Sequence, residues 1–134
     1  MALGMTKLSN VTIESVESVA ISSLEWASDT GGTVLNAGSG ERFANVNLQI
    51  SVTFNASATG DACLHIRKSA NDGATENTDQ TYARTIECDA GNTVVITHPV
   101  YDFDYLDIGI ENEDAAYTLT YSAIYEGVKI TGMD

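Results

Sequence analysis

The stretch Ala44-Asn-Val-Asn-Leu-Gln-Ile-Ser-Val-Thr-Phe54 alternates apolar and polar residues at every position. Ala44, Val46, Leu48, Ile50, Val52 and Phe54 fall on one side, and Asn45, Asn47, Gln49, Ser51 and Thr53 on the other. A period of two residues belongs to a β-strand, whose successive side chains point to opposite faces. One face then packs on a core while the other meets water or a polar partner. A strand buried in a parallel sheet would be apolar on both faces, so the alternation predicts an antiparallel sheet.

The same reading extends along the chain. Ala62, Leu64 and Ile66 form one face of a strand that ends at Lys68. Thr81–Cys88 and Thr93–Thr97 flank the turn formers Asp89-Ala-Gly-Asn92. Tyr117, Leu119, Tyr121, Ala123 and Tyr125 alternate with small polar residues and Ile124. Two segments change phase. In Tyr101–Glu111 the apolar positions slip by one residue, which predicts a β-bulge near Tyr105–Leu106. In Val11–Trp26 a helical face (Ile13, Val16, Ala20, Leu24) can be drawn, but the Val, Ile, Ser and Thr content favours strand. Pro99 is placed at a strand end, where a missing donor does least harm. The expected architecture is all-β: an antiparallel β-sandwich, jelly-roll-like, of about eight strands. It occupies residues 11–134 as one domain, with residues 1–10 set aside as a candidate N-terminal arm carrying Leu3, Met5 and Leu8.

Length and composition narrow the function. The 134 residues suffice for one core, and 43% of them are hydrophobic, which excludes an acidic disordered tail. No apolar run approaches the roughly 20 residues of a spanning helix, and no secretory signal is expected at the N-terminus. Nineteen acids against six bases give a net charge of −13, a field that repels nucleic acid and anionic membranes, so neither is expected as a partner. Cys63 falls on the polar side of its strand and Cys88 on the apolar side of the next, so two free thiols are expected.

Catalytic machinery is not visible. The two histidines, His65 and His98, sit on a polar strand face and beside a proline, and no Gly-x-Ser-x-Gly elbow occurs. Gly38-Ser-Gly-Glu-Arg42 lacks the lysine and hydroxyl of a phosphate loop. The acids fall on solvent faces and loops instead of facing each other across a cleft, so an enzyme is not expected. No cofactor is expected. Calcium is the one alternative, on the oxygen-rich Asn71–Asp79 or Asp102–Asp107, although neither has EF-hand spacing. Tyr101, Phe103 and Tyr105 could form an aromatic platform for carbohydrate, with core or inter-subunit packing as the preferred use.

One region has a familiar order. Leu64-His-Ile-Arg-Lys-Ser-Ala-Asn-Asp-Gly73 runs from a strand into a Ser-x-x-Asp-Gly turn, and Tyr105-Leu-Asp-Ile-Gly-Ile-Glu-Asn-Glu-Asp114 precedes a closing alternating strand. This order, over roughly residues 44–126, resembles small β-sandwich virion accessory proteins of tailed bacteriophages, of the capsid decoration (cement) type. The resemblance implies a non-enzymatic structural protein that binds the outside of the capsid and stabilises it. Its implied partners are the major capsid protein and further copies of itself, as a trimer or dimer. It also implies a place on the capsid surface of the virion, after assembly in the bacterial host cytoplasm. The alternatives are a phage tail or baseplate component, or a carbohydrate-binding β-sandwich module. Asn45, Asn47, Gln49, Ser51 and Thr53 stand out as interface candidates, because an uncharged polar strand is unusual in so acidic a chain. Leu3, Met5 and Leu8 join them as the residues of the arm.

Overall fold

A computed structural model describes residues 4–38, 40–69 and 80–132. Among the described residues nine strands form two antiparallel sheets: β1 Gly4–Val19, β2 Ser23–Trp26, β3 Leu35–Asn36, β4 Arg42–Thr53, β5 Ala62–Ser69, β6 Gln80–Ile86, β7 Thr93–Phe103, β8 Tyr105–Asn112 and β9 Leu119–Thr131. The first sheet has the order β1-β9-β4-β7, and the second β2-β8-β5-β6 with the short β3 also on β8. Along the main path only β5 and β6 are both adjacent in sequence and paired in space. Such wrapping of the chain between two sheets is the jelly-roll arrangement.

The strand read from Ala44–Phe54 lies in the middle of the first sheet, with Val46, Leu48, Ile50, Val52 and Phe54 buried. These residues share one buried cluster with Leu64 and Ile66 of β5 and Leu106, Ile108 and Ile110 of β8. At the start of the strand the expected phase changes. Phe43 is buried and Ala44 only half-buried, because a bulge between Phe43 and Asn45 shifts the register against β9. Phe43 then stacks on Phe103, ring centroids 5.0 Å apart.

The phase slip in Tyr101–Glu111 has a different cause from the bulge expected there. The chain changes sheets: β7 ends at Phe103, Asp104 makes the corner, and β8 begins at Tyr105 in the other sheet. Arg42, from β4, holds this corner by donating to Asp104 at 2.9 Å and pairing with Asp102, whose backbone adopts a positive φ of 57°. Burying the apolar residues of both strands in one core requires the slip, since they face it from opposite sheets. Val11–Trp26 is strand, as its composition favoured. Its irregular phase reflects three register shifts along β1, followed by the crossing to β2. Pro99 lies within β7 rather than at its end. The strand is an edge strand, where one row of backbone N–H groups has no neighbour to serve. The first ten residues are taken up largely by β1, with Gly4–Leu8 paired to Gly127–Thr131.

On the outside of the second sheet a polar cluster is packed as closely as a core. The Asp107 side chain is fully buried and accepts from Arg67 Nη2 at 2.8 Å and from Ser28 Oγ at 2.5 Å. The Arg67 guanidinium lies 4.1 Å from the centroid of the Trp26 ring. Trp26 can lie across β8 because residue 109 is glycine; a Cβ there would come within 2.9 Å of the indole. His65 pairs with Glu111 at 2.8 Å and meets Trp26 edge-on. Cys63 donates to Glu113 at 2.6 Å, and burial followed by the carboxylates pushes its thiol up to about 12. Both cysteines are free.

The loop after β8 is tied by one carboxylate. Asp114 accepts backbone N–H bonds from Gly60, Ala116, Thr59 and Tyr117, between 2.8 and 2.9 Å. These donors hold its carboxyl well below the ordinary carboxylate range.

Two outcomes follow. Asp107→Ala leaves Arg67 without its buried counter-charge and should cost about 3 kcal/mol in urea unfolding, against less than about 1 kcal/mol if the pair behaves as an exposed one. For Asp114 the folded-state pKa lies below the unfolded value. Its contribution is therefore complete above about pH 4 and is lost as the pH falls further. The melting temperature of Asp114→Asn should be lower than wild type at pH 7 and should converge on it towards pH 2.

Candidate functional site

The outer face of the first sheet is built from the positions that alternate with the core. β4 contributes Asn45, Asn47, Gln49, Ser51 and Thr53; β7, flanking it, contributes Thr93, Val95, Thr97, Pro99 and Tyr101. On the other side β9 adds Thr120, Ser122, Ile124, Glu126 and Val128, and β1 adds Met5, Lys7 and Thr12. The charged residues in this set are one base, Lys7, and one acid, Glu126. At its margin Arg42 gathers Asp102 and Asp104. In a chain of net charge −13 this is a sharp segregation. Other acids lie off this face: Asp107 and Glu111 on β8, Glu113 just after it, Glu25 on β2, and Glu14 and Glu17 at β1 positions paired with the core residues Ala123 and Tyr121. Burial, then Glu14 and Glu17, pushes the Tyr121 hydroxyl up, and burial, then Glu17, pushes Glu25 up.

The face is not flat. Lys7, Asn45, Asn47, Pro99, Tyr101 and Glu126 border a depression of about 240 Å³ floored by Val46 and Gly127. A second, of about 170 Å³, is bordered by Asn10, Gln49, Thr97 and Ile124 and shares Asn47 and Glu126 with the first. Together they make a shallow trough across β7, β4, β9 and β1. Gly127 pairs with the core residue Val46, and a Cβ there would run into the carbonyl of Asn45 and into Val46, so β4 and β9 lie especially close beneath the trough. The lining is rich in carboxamides, each of which offers a donor and an acceptor. It can form directional hydrogen bonds without requiring a charged partner.

The interface candidates read from the sequence divide on this surface. Asn45, Asn47, Gln49 and Thr53 are exposed, with Thr53 Oγ1 2.8 Å from Thr93 Oγ1 across the strands. Ser51 is half-buried. Met5 is exposed on the same face, whereas Leu8 is half-buried against the core. Leu3 lies outside the described residues. Strand pairing brings Tyr101, read from the sequence as an aromatic for inter-subunit or core packing, beside Asn45, and adds Lys7 and Glu126, which the sequence reading missed. Glu126 was legible as the end of the Tyr117–Tyr125 alternation, but its neighbours were not.

Other sequence candidates do not assemble. Tyr101 is exposed, Phe103 is buried and Tyr105 belongs to the other sheet, so the three form no common platform. Asp102 and Asp104 converge on Arg42, while Asp107 turns to Arg67, so this segment offers no shared oxygen cage. Asn71–Asp79 lies outside the described residues, and among those described no group of three or more His, Cys, Asp and Glu could hold a metal ion. His65 and His98 are in different sheets. Burial, then Arg84, pushes His98 down towards its neutral form.

No family model and no curated protein matches the chain. Solved structures do. The Gt strain of infectious bursal disease virus superposes with a TM-score of 0.57 at 9% identity, covering 97% of this chain and 32% of that one. The D431N mutant VP2 protein of the same virus, in T=1 particles, gives 0.57 at 9% identity over 98% of this chain and 32% of the other. The Gx strain gives 0.53 at 12% identity over 97% and 32%. What is shared is the fold. The chain corresponds to a jelly roll found within viral particle proteins, and it spans about one third of the length of the chains it matches.

The geometry of the trough predicts opposite responses at neighbouring positions. Gly127→Ala should cost about 1–3 kcal/mol in urea unfolding, because β4 and β9 must separate to admit the methyl group. Asn47→Glu should stay within about 0.5 kcal/mol of wild type, since its side chain is exposed. A neutral Gly127→Ala would mean that the strands are not so close.

Proposed function

We propose that the protein is a non-enzymatic structural component of a tailed-bacteriophage virion, seated on the outside of the assembled capsid and reinforcing it. The observation that carries this reading is the neutral, carboxamide-rich face in the middle of a strongly acidic jelly roll. A solvent-exposed face of such a chain has no need to exclude charge. A face that docks on protein does, because burying an unpaired carboxylate at an interface is expensive. The fold, shared with viral particle proteins, supports the same reading.

Mechanically the role asks for rigidity and little more. Two sheets on one core, with the corner tied by Arg42 and the second sheet's outer side tied by Asp107, suit such a role. The acidic remainder keeps decorated particles from adhering to one another and to nucleic acid. Partners in this reading are the major capsid protein and other copies of the chain; nucleic acid and membrane are not among them.

Electron microscopy of particles assembled with and without the protein is the direct test. Additional density on the outer capsid surface is expected only when the protein is present, together with greater resistance of the particle to heat. Asn47→Glu combined with Gln49→Glu should reduce occupancy severalfold while the isolated protein keeps its circular dichroism spectrum and a cooperative unfolding transition. Wild-type protein that fails to associate with particles would overturn the proposal.

A further inference from the structure

The neutral face holds one base and one acid near each other. Lys7 on β1 is opposite Val128, and Glu126 lies two residues earlier on the same strand. Neither forms an ion pair with another described residue. A face with one charge of each sign is complementary to itself when turned through a half-turn, which is what an isologous contact requires. We propose that this face is covered by the same face of a second copy of the chain, related by a twofold axis that sets Lys7 of each copy against Glu126 of the other. The proposal rests on the reading of the face as a protein interface and assigns it to self-association, so that the pair meets the capsid through another surface.

Charge favours this occupant. Two chains of −13 repel on almost any approach, and the contact that costs least brings together the surfaces whose own charge is zero. Apolar exposure points to the same side. Among the described residues six large hydrophobic side chains are exposed, and Met5, Val16, Val95 and Tyr101 are all on strands of this sheet. Area is sufficient. Four strands spaced at about 4.8 Å, with about ten residues each rising about 3.4 Å, span about 650 Å², at the lower end of the roughly 600–1,000 Å² per partner of a stable interface. The trough at Asn47 and Glu126 gives the opposing side chains a place to enter.

The test uses two charge reversals made in separate full-length chains, Lys7→Glu and Glu126→Lys, followed by sedimentation velocity. Wild type should sediment as a pair. Each variant alone should pair about a hundredfold or more weakly, because like charges are then juxtaposed twice. An equimolar mixture of the two variants should recover the pair, since the reversed charges face each other across the twofold axis. An unchanged far-ultraviolet circular dichroism spectrum with a cooperative thermal transition establishes that each variant is folded; its melting temperature should fall as the pair is lost. A wild-type monomer at the highest soluble concentration, a trimer, variants that pair like wild type, or a mixture that stays monomeric would each overturn the proposal. Failure here is distinct from failure of the capsid reading: a monomer that still decorates particles sinks only the pairing, and a pair that ignores particles sinks only the capsid role.

Discussion

Much of the molecule depends on β4 being paired on both sides, with β9 along one edge and β7 along the other. A central strand has no free backbone donors or acceptors, so its character is set by its two rows of side chains. One row, from Val46 to Phe54, closes the core. The other, from Asn45 to Thr53, is held in the middle of a surface, with neighbours on both sides. Polar groups on an edge strand would be ordinary; at the centre of a four-stranded sheet they decide what the whole face can bind.

The two sheets solve the problem of an outer surface in opposite ways. The second sheet covers its central strand with its own groups: Trp26 across Gly109, Arg67 on Trp26, and Asp107 beneath both. Among the described residues these groups satisfy one another. The first sheet leaves its carboxamides open and its exposed apolar side chains without cover. This difference, more than any single residue, separates the side that is finished from the side that is available.

The alternation of Ala44–Phe54 made the fold class legible, because a period of two sustained over eleven residues matches the pleat of a strand and no helix. The sequence was least informative where a small or polar residue occupies a turning point. Ala44 continues the apolar pattern by type, yet the bulge gives its place to Phe43, since alanine is small enough to fit either side. The slip at Tyr105–Leu106 has the same appearance for a bulge and for a change of sheet. The difference lies in Arg42, some 60 residues earlier in the chain, which ties the corner. For the candidate site, the carboxamide strand could be read in advance. Lys7, Tyr101 and Glu126 could not be placed beside it, because their proximity is a product of pairing between strands distant in sequence.

That distance has a bearing on when the molecule becomes competent. The sheet β1-β9-β4-β7 contains no two strands that are consecutive in the chain, and its second strand is the last to emerge during synthesis. Pairing of such remote segments is slow and requires loop closure before it is rewarded. Without β9, the neutral strand β4 has only β7 beside it, and the continuous four-stranded face does not exist. The outer face of the first sheet becomes one continuous surface only once β9 has been inserted between β1 and β4, so the face is a late product of folding.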